Sequence, residues 1–247
     1  FILLSKYKAM SSLLGTLKET IRYQMLTRLR GQAGEQGNTK RNVRPHILRL
    51  YARLNNTQNS ITFDLDKKTN GDIHILSNGL DEKDAFIADS LALGIHPTII
   101  SGGVELYANT PPIFYPDPRV FPTANEARDL EILYNASLQL ESNQDIRLQD
   151  VDTWQFRTVP QTQFNAVAST PPTIVQSGNE FKSLETAIAF AGGDKNSITI
   201  RWAGGSYAAI AGNGTANNNY AVIFLSGLII KNGAQKATRG ELFKLIG

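Results

Sequence analysis

Cysteine is absent from this chain of 247 residues. Its absence excludes disulfide bonds, thiolate catalysis and cysteine-based zinc sites, and it leaves the redox compartment open. Long apolar runs are also missing, because the longest, from Ala221 to Ile230, has about half the length of a membrane-spanning helix. Charged residues make up only 19% of the chain, whereas Gly, Asn, Thr and Ser are plentiful. This composition favours a β-rich fold with many turns over a helical bundle.

Sequence signatures of catalysis are equally scarce. The three histidines, His46, His74 and His96, are far apart in the chain, and no nucleophile elbow, phosphate-binding loop or dinucleotide-binding fingerprint occurs. Carboxylates are common and include the closely spaced pairs Asp64/Asp66, Asp81/Asp84 and Asp150/Asp152. Such pairs can bind calcium or serve a glycosidase, but most of them form a solvated strand face. We therefore predict that the protein is not an enzyme, with no catalytic residue, metal site or cofactor.

Positive charge is concentrated at the beginning of the chain. Residues 1–53 contain eleven Lys and Arg against two acids, a net charge of +9, whereas the other 194 residues contain fourteen against twenty, a net charge of −6. The overall charge of +3 thus hides a basic segment attached to an acidic body. Such polarity suits a protein that contacts a polyanion at one end only.

The basic segment has the periodicity of one long amphipathic helix over residues 1–30, followed by a glycine-rich linker at 31–37. Apolar residues recur at steps of four and three along one face, forming a packing stripe: Leu3, Tyr7, Met10, Leu14, Leu17 and Ile21. The cations lie off this stripe or follow it: Lys6, Lys8, Lys18, Arg22, Arg28, Arg30, Lys40, Arg41 and Arg44. We predict a helix-and-linker arm over residues 1–44.

Two interpretations of this arm remain open. The stripe can simply pack on protein with its lysines solvated, or the basic residues can face a membrane or a nucleic acid. No aromatic stacking platform is interleaved with the cations, so the apolar stripe favours lipid or protein over DNA.

From Pro45 onward the apolar period changes from 3.6 to 2, which predicts β-strands. Alternating runs occupy four segments: Leu48–Leu54, Ile61–Leu65, Leu130–Leu140 and Ile198–Trp202. A fifth run, Tyr220–Lys231, is apolar on both faces and predicts a buried central strand. Two other patterns are interpreted as short helices, Asp81–Gly94 and a segment from Phe181 to Gly192. The proline-rich residues 109–123 are predicted to form a loop or an extended arm that can reach a neighbour.

These runs predict a mainly β fold, a sandwich or jelly roll. The tetrapeptide Asn59-Ser-Ile-Thr62 recurs as Asn196-Ser-Ile-Thr199, which is weak support for two similar β units. We place the first at 45–160, including the proline-rich loop 109–123, and the second at 161–247.

The overall organisation and three passages resemble a known family. The passages are Leu130-Glu-Ile-Leu-Tyr-Asn-Ala-Ser-Leu-Gln-Leu140, Phe156-Arg-Thr-Val-Pro160 and Ala191-Gly-Gly-Asp-Lys-Asn-Ser-Ile-Thr199. With the basic helix, the linker and the proline-rich arm, they resemble the double jelly-roll major capsid proteins of tailless, icosahedral, membrane-containing bacteriophages. The similarity is to those of small single-stranded-DNA phages of Bacteroidetes hosts in particular. It implies two jelly rolls, the alternative being a single jelly roll or β-sandwich.

The resemblance implies self-assembly into an icosahedral shell of the virion, completed in the host cytoplasm. The partners would be a homotrimer, neighbouring capsomers and other virion proteins, with the basic helix facing an internal lipid membrane or the viral DNA. The alternative is a receptor- or carbohydrate-binding β-sandwich spike of a virion. Trp154 and Trp202 can stack on sugars, although each lies in an alternating run that predicts a core position.

Overall fold

A computed structural model describes residues 43–55, 57–66, 77–101, 104–106, 112, 114, 131–157, 161–162, 174–175, 180–203 and 217–234. These residues contain eleven strands: β1 (Val43–Arg53), β2 (Ser60–Asp64), β3 (Ala85–Ser101), β4 (Val104–Leu106), β5 (Ser137–Ser142), β6 (Asp145–Asp152), β7 (Gln161–Thr162), β8 (Ile174–Val175), β9 (Lys182–Ala191), β10 (Asn196–Arg201) and β11 (Asn217–Ile230). Two 3₁₀ turns lie at Ile132–Tyr134 and Thr153–Phe156. The predicted N-terminal helix lies outside the described residues.

Most of these strands belong to two antiparallel sheets. In the first, the order is β1-β11-β3-β9, and β4 pairs with the last residues of β3. In the second, the order is β2-β10-β5-β6. β7 and β8 pair with each other. The described chain is therefore a β-sandwich, which confirms the prediction of a mainly β fold.

One apolar core joins the two sheets. It includes Leu48 and Ile223 from the first sheet and Phe63, Leu138 and Ile198 from the second, each almost completely buried. In regular strands such as β2 and β10, residues facing this core alternate with residues facing outward, as expected for two sheets packed face to face.

Each of the two sheets contains strands from both predicted β units. β1 and β3 from residues 45–160 flank β11 from residues 161–247, and β10 lies between β2 and β5. Instead of forming two separate units at 45–160 and 161–247, the described strands of both ranges share the same sheets and the same core. Within the described residues, each range supplies only part of each of the two sheets.

Four predicted strands are confirmed, as β1, β2, β10 and β11. β1 begins at Val43, so the predicted arm of residues 1–44 gives its last two residues to the sandwich. β11 is a central strand with nearly every described residue buried, as its unbroken apolar run predicts.

Both predicted short helices are wrong. The segment 81–94 contributes to β3, and residues 182–191 form β9. In β3, Asp89 is an extra residue that neither neighbouring strand pairs with, so the core-facing positions change from Phe86 and Ala88 to Leu91 and Leu93. Such a bulge breaks strict alternation and produces spacings that resemble a helix. In β9, Leu184 and Ile188 are four residues apart. This spacing is close to one helical turn, but it is also two repeats of a strand.

The predicted strand over 130–140 is correct only in its second half. Ile132–Tyr134 form a 3₁₀ turn with all three side chains buried, and the strand begins at Ser137. The hydroxyl of Tyr134 donates a hydrogen bond to the carbonyl oxygen of Leu93 at 3.2 Å, which ties this turn to the opposite sheet. Burial raises the pKa of the Tyr134 hydroxyl far above its ordinary range, so it stays a hydrogen-bond donor.

The outer edge of β1 is covered by the chain itself. Asn78 donates its backbone N–H to the carbonyl oxygen of Arg49 at 3.0 Å. Its side-chain amide donates to the carbonyl oxygen of Ile47 at 2.9 Å. The hydroxyl of Ser77 accepts the backbone N–H of Tyr51 at 3.2 Å. These bonds occupy groups that would otherwise offer a template for another strand.

Candidate functional site

Of the nine predicted contact cations, the structure describes Arg44 alone. Its side chain is exposed on β1, at the point where the basic segment joins the sandwich, and it has no partner within the described residues. The other eight cations and the whole apolar stripe (Leu3, Tyr7, Met10, Leu14, Leu17 and Ile21) lie outside the described residues, so their roles stay predictions.

His46 lies two residues further along β1, in a positively charged corner of the sandwich. Its ring contacts the edge of the Phe86 ring, with centroids 6.5 Å apart. Burial lowers the pKa of His46, and the charges of Arg44, Lys231 and Arg49 lower it further, against a smaller opposing effect of Asp84. These surroundings therefore favour the neutral form of His46.

The carboxylate of Asp84 has a structural role in the same corner. It is almost completely buried, forms an ion pair with Lys231, and accepts the backbone N–H of Asn232 at 3.1 Å. This interaction fixes the turn after β11 to the residues that precede β3. In the carboxylate pair Asp81/Asp84, Asp84 therefore stabilises the fold.

The described residues contain no group of three His, Asp or Glu side chains that could hold a metal ion. His96 is fully buried on β3, with its ring 5.6 Å from that of Tyr51. His74 lies outside the described residues.

A cleft of about 390 Å³ lies at one end of the second sheet. We call it the tryptophan cleft, and its lining includes Asn135, Ser137, Asp152, Trp154, Arg201 and Trp202. Trp202 is a core residue, as predicted, and is 6% exposed. Trp154 is 62% exposed, so the prediction of a core position is wrong for this residue.

The position of Trp154 follows from the 3₁₀ turn Thr153–Phe156 that comes directly after β6. The first and last residues of this turn are buried, whereas Trp154 and Gln155 between them are exposed. The 3₁₀ turn that holds Trp154 is fixed on both sides. Thr153 exchanges hydrogen bonds with Ala136, and Phe156 is buried in the core. The tryptophan is therefore exposed on a rigid support.

Three strands present polar side chains side by side along the floor of this cleft. Arg201 on β10 is paired with Ser137 on β5, and Ser137 is paired with Asp152 on β6. Directly paired residues on one face of a sheet have Cβ atoms about 5 Å apart. The side chains of Arg201 and Asp152 are exposed, and neither has a hydrogen bond or ion pair with another residue in the described ranges.

The predicted proline-rich arm is described at Pro112 and Phe114 only. The ring of Phe114 packs edge-on against Phe224 of β11, with centroids 5.2 Å apart. Phe224 points outward from the first sheet and also lies beneath the guanidinium of Arg49, which is 5.9 Å from the ring centroid. This part of the arm thus contacts its own chain.

Comparison with known proteins gives no relative: no protein-family model, curated protein or solved structure matches the chain. Within the described ranges, no helix has the length and apolar character needed to cross a membrane.

The environment of His46 predicts a loss of stability in acid. The pKa of His46 in the folded protein lies below its unfolded value of 6.5, so protonation favours the unfolded chain. The stability that neutral His46 provides is fully present above pH 6.5 and is lost as the pH falls through the folded pKa. In His46→Gln, the free energy of unfolding should therefore fall less between pH 7 and pH 5 than in the parent, measured by urea denaturation.

Arg44→Gln is the matched variant for this test. It removes one of the charges that lower the pKa of His46, so the folded pKa moves closer to the unfolded value. The free energy of unfolding should therefore fall less between pH 7 and pH 5 than in the parent, with the histidine still in place. An identical pH dependence in all three proteins would show that His46 does not contribute.

Proposed function

We propose that this protein is a structural subunit of an icosahedral viral shell, built on a single jelly roll. The observation that carries the proposal is the order of the strands. β1, β11, β3 and β9 form one sheet, and β2, β10, β5 and β6 form the other. When β4, β7 and β8 are left aside, the remaining eight strands follow one another along the chain. Eight successive strands wound as two Greek keys form a jelly roll with these two sheet orders. Capsid proteins, lectins and cupins use this fold.

A single jelly roll fits these strands better than the double jelly roll implied by the resemblance. A double jelly roll needs two complete sets of eight strands, each with its own core. Here the described strands β1, β2, β3, β5, β6, β9, β10 and β11 make up one set, from Val43 to Ile230, and both of its sheets contribute to the same core. We infer one shell-forming domain per chain.

The charge distribution supports a shell subunit over the other users of this fold. Residues 1–42 precede β1 and contain eight Lys and Arg against two acids, whereas the remaining residues contain seventeen against twenty. A basic arm on an acidic sandwich suits a shell whose interior holds a polyanion or an anionic membrane surface. Arg44, exposed at the first strand, continues this charge onto the body.

The proposed partners are other copies of the chain, as trimers that pack with neighbouring capsomers, together with other virion proteins. Closed shells use symmetric contacts repeated between identical subunits. The basic arm would face an internal lipid membrane or the viral DNA, and the protein would reside in the virion after assembly in the host cytoplasm.

Negative-stain electron microscopy of the purified full-length chain tests this function. We expect trimeric capsomers or closed shells, because a shell subunit carries its lateral contacts on its own surface. Slender, elongated trimers would support the spike alternative instead, and monomers at all concentrations would refute assembly.

Charge reversal in the basic arm tests its contact. In Lys8→Glu/Arg22→Glu, binding to anionic vesicles should weaken by at least about 30-fold. Each lost cation near an anionic bilayer contributes about 1 kcal/mol, and the two added carboxylates are repelled. Vesicle flotation measures the affinity for the membrane. Binding to single-stranded DNA at two salt concentrations measures the affinity for nucleic acid, the alternative contact.

The matched control is Lys83→Glu/Lys195→Glu, which makes the same charge change at two exposed positions of the sandwich. Binding to both probes should be close to that of the parent. If the arm variant and this control behave alike with vesicles and with DNA, the arm contacts neither, and packing on protein is the remaining interpretation.

A further inference from the structure

Trp154 is a large aromatic side chain that folding leaves in water. It is 62% exposed, and neither side of its turn can move freely, because Thr153 is bonded to Ala136 and Phe156 is buried. A rigid exposed aromatic ring loses little conformational entropy when a ligand covers it. Exposed aromatic rings of this kind are typical of binding surfaces.

The polar groups beside Trp154 are unused by the fold. Arg201 and Asp152 lie on either side of Ser137 and have no partner within the described residues. A guanidinium donates hydrogen bonds only, and a carboxylate accepts them only. Sugar hydroxyl groups do both, so neighbouring hydroxyls of one ring can engage each of these side chains.

Trp202 also lines the tryptophan cleft, and it belongs to the core at the same time. Its indole N–H is buried and has no hydrogen-bond acceptor in the described protein. A buried donor without an acceptor is unfavourable. An oxygen of a ligand or of a bound water within hydrogen-bond distance of this N–H would remove the deficit.

The charges of the lining select among ligands that stack on tryptophan. The lining contains one acid, Asp152, and one cation, Arg201, so it has no net charge. Such a lining gives no general attraction to polyanions, such as nucleic acids and acidic sugars, and none to cations. We propose that the tryptophan cleft binds neutral carbohydrate, with a pyranose ring stacked on Trp154 and its hydroxyl groups bonded by Asp152 and Arg201. The volume of about 390 Å³ is in the usual range for small-ligand sites.

The test is a titration of the full-length chain with neutral glucose, galactose, mannose and N-acetylhexosamine tetrasaccharides, and with sialylated and sulfated counterparts. The chain has only two tryptophans, and both line the cleft, so tryptophan fluorescence reports directly on its occupancy. We expect a saturable change with at least one neutral tetrasaccharide and a weaker or absent response to the acidic ones. Calorimetry gives the affinity independently of the fluorophore.

Substitutions assign the contacts. Trp154→Ala should weaken binding at least tenfold, Trp154→Tyr should keep most of it, and Asp152→Ala should weaken it several-fold. Gln155→Ala, an exposed position on the same turn, is the matched control and should bind like the parent. Because Trp154 is mostly exposed, the melting temperature of these variants should stay close to that of the parent.

Three results would overturn the proposal: no response to any neutral tetrasaccharide, preferential binding of the acidic ones, or unchanged affinity in Trp154→Ala. Loss of particle assembly in Trp154→Ala without any sugar binding would identify the cleft as a subunit contact, which also overturns it. The proposal is independent of shell formation, since sugar binding is measured on the unassembled chain as well.

Discussion

The pairing of β11 with both β1 and β3 holds the sandwich together. β11 follows β1 in register from Val43↔Ile230 to Arg53↔Tyr220, and it follows β3 on its other side. Gly227 lies at the register shift between β11 and β3, where a Cβ atom would be 1.9 Å from the carbonyl oxygen of Ile87, so no other residue fits without a backbone shift. The last strand of the sheet thus joins the first and the third, and the sheet closes only when distant parts of the chain meet.

Pairing between strands that are distant in sequence also forms the tryptophan cleft. β10 enters between β2 and β5, and this brings Arg201 beside Ser137 and, through β6, into line with Asp152. The cleft therefore combines residues that are far apart in sequence on a surface that the core holds rigid. A fold of this kind separates two roles, since its interior fixes the shape while the outward positions are available for contacts.

Alternation of apolar and polar residues predicted the strands with one regular face, such as β1 and β2, and an unbroken apolar run predicted β11. It did not predict β3, because the extra residue Asp89 shifts the core-facing positions, nor which strands pair, because alternation carries no information about partners. It did not predict the exposure of Trp154 either, because Trp154 lies in a 3₁₀ turn after β6, where the alternation of a strand no longer applies. The cleft required the strand order, which local patterns do not contain.

A cryo-electron-microscopy reconstruction of particles assembled from the full-length chain tests the proposed shell subunit most directly. We predict one sandwich per chain with the strand orders described above, residues 1–42 on the inner side of the shell, and Trp154 on an accessible surface. Two sandwiches per chain, a basic arm on the outer side, or the failure of any closed particle to form would contradict it.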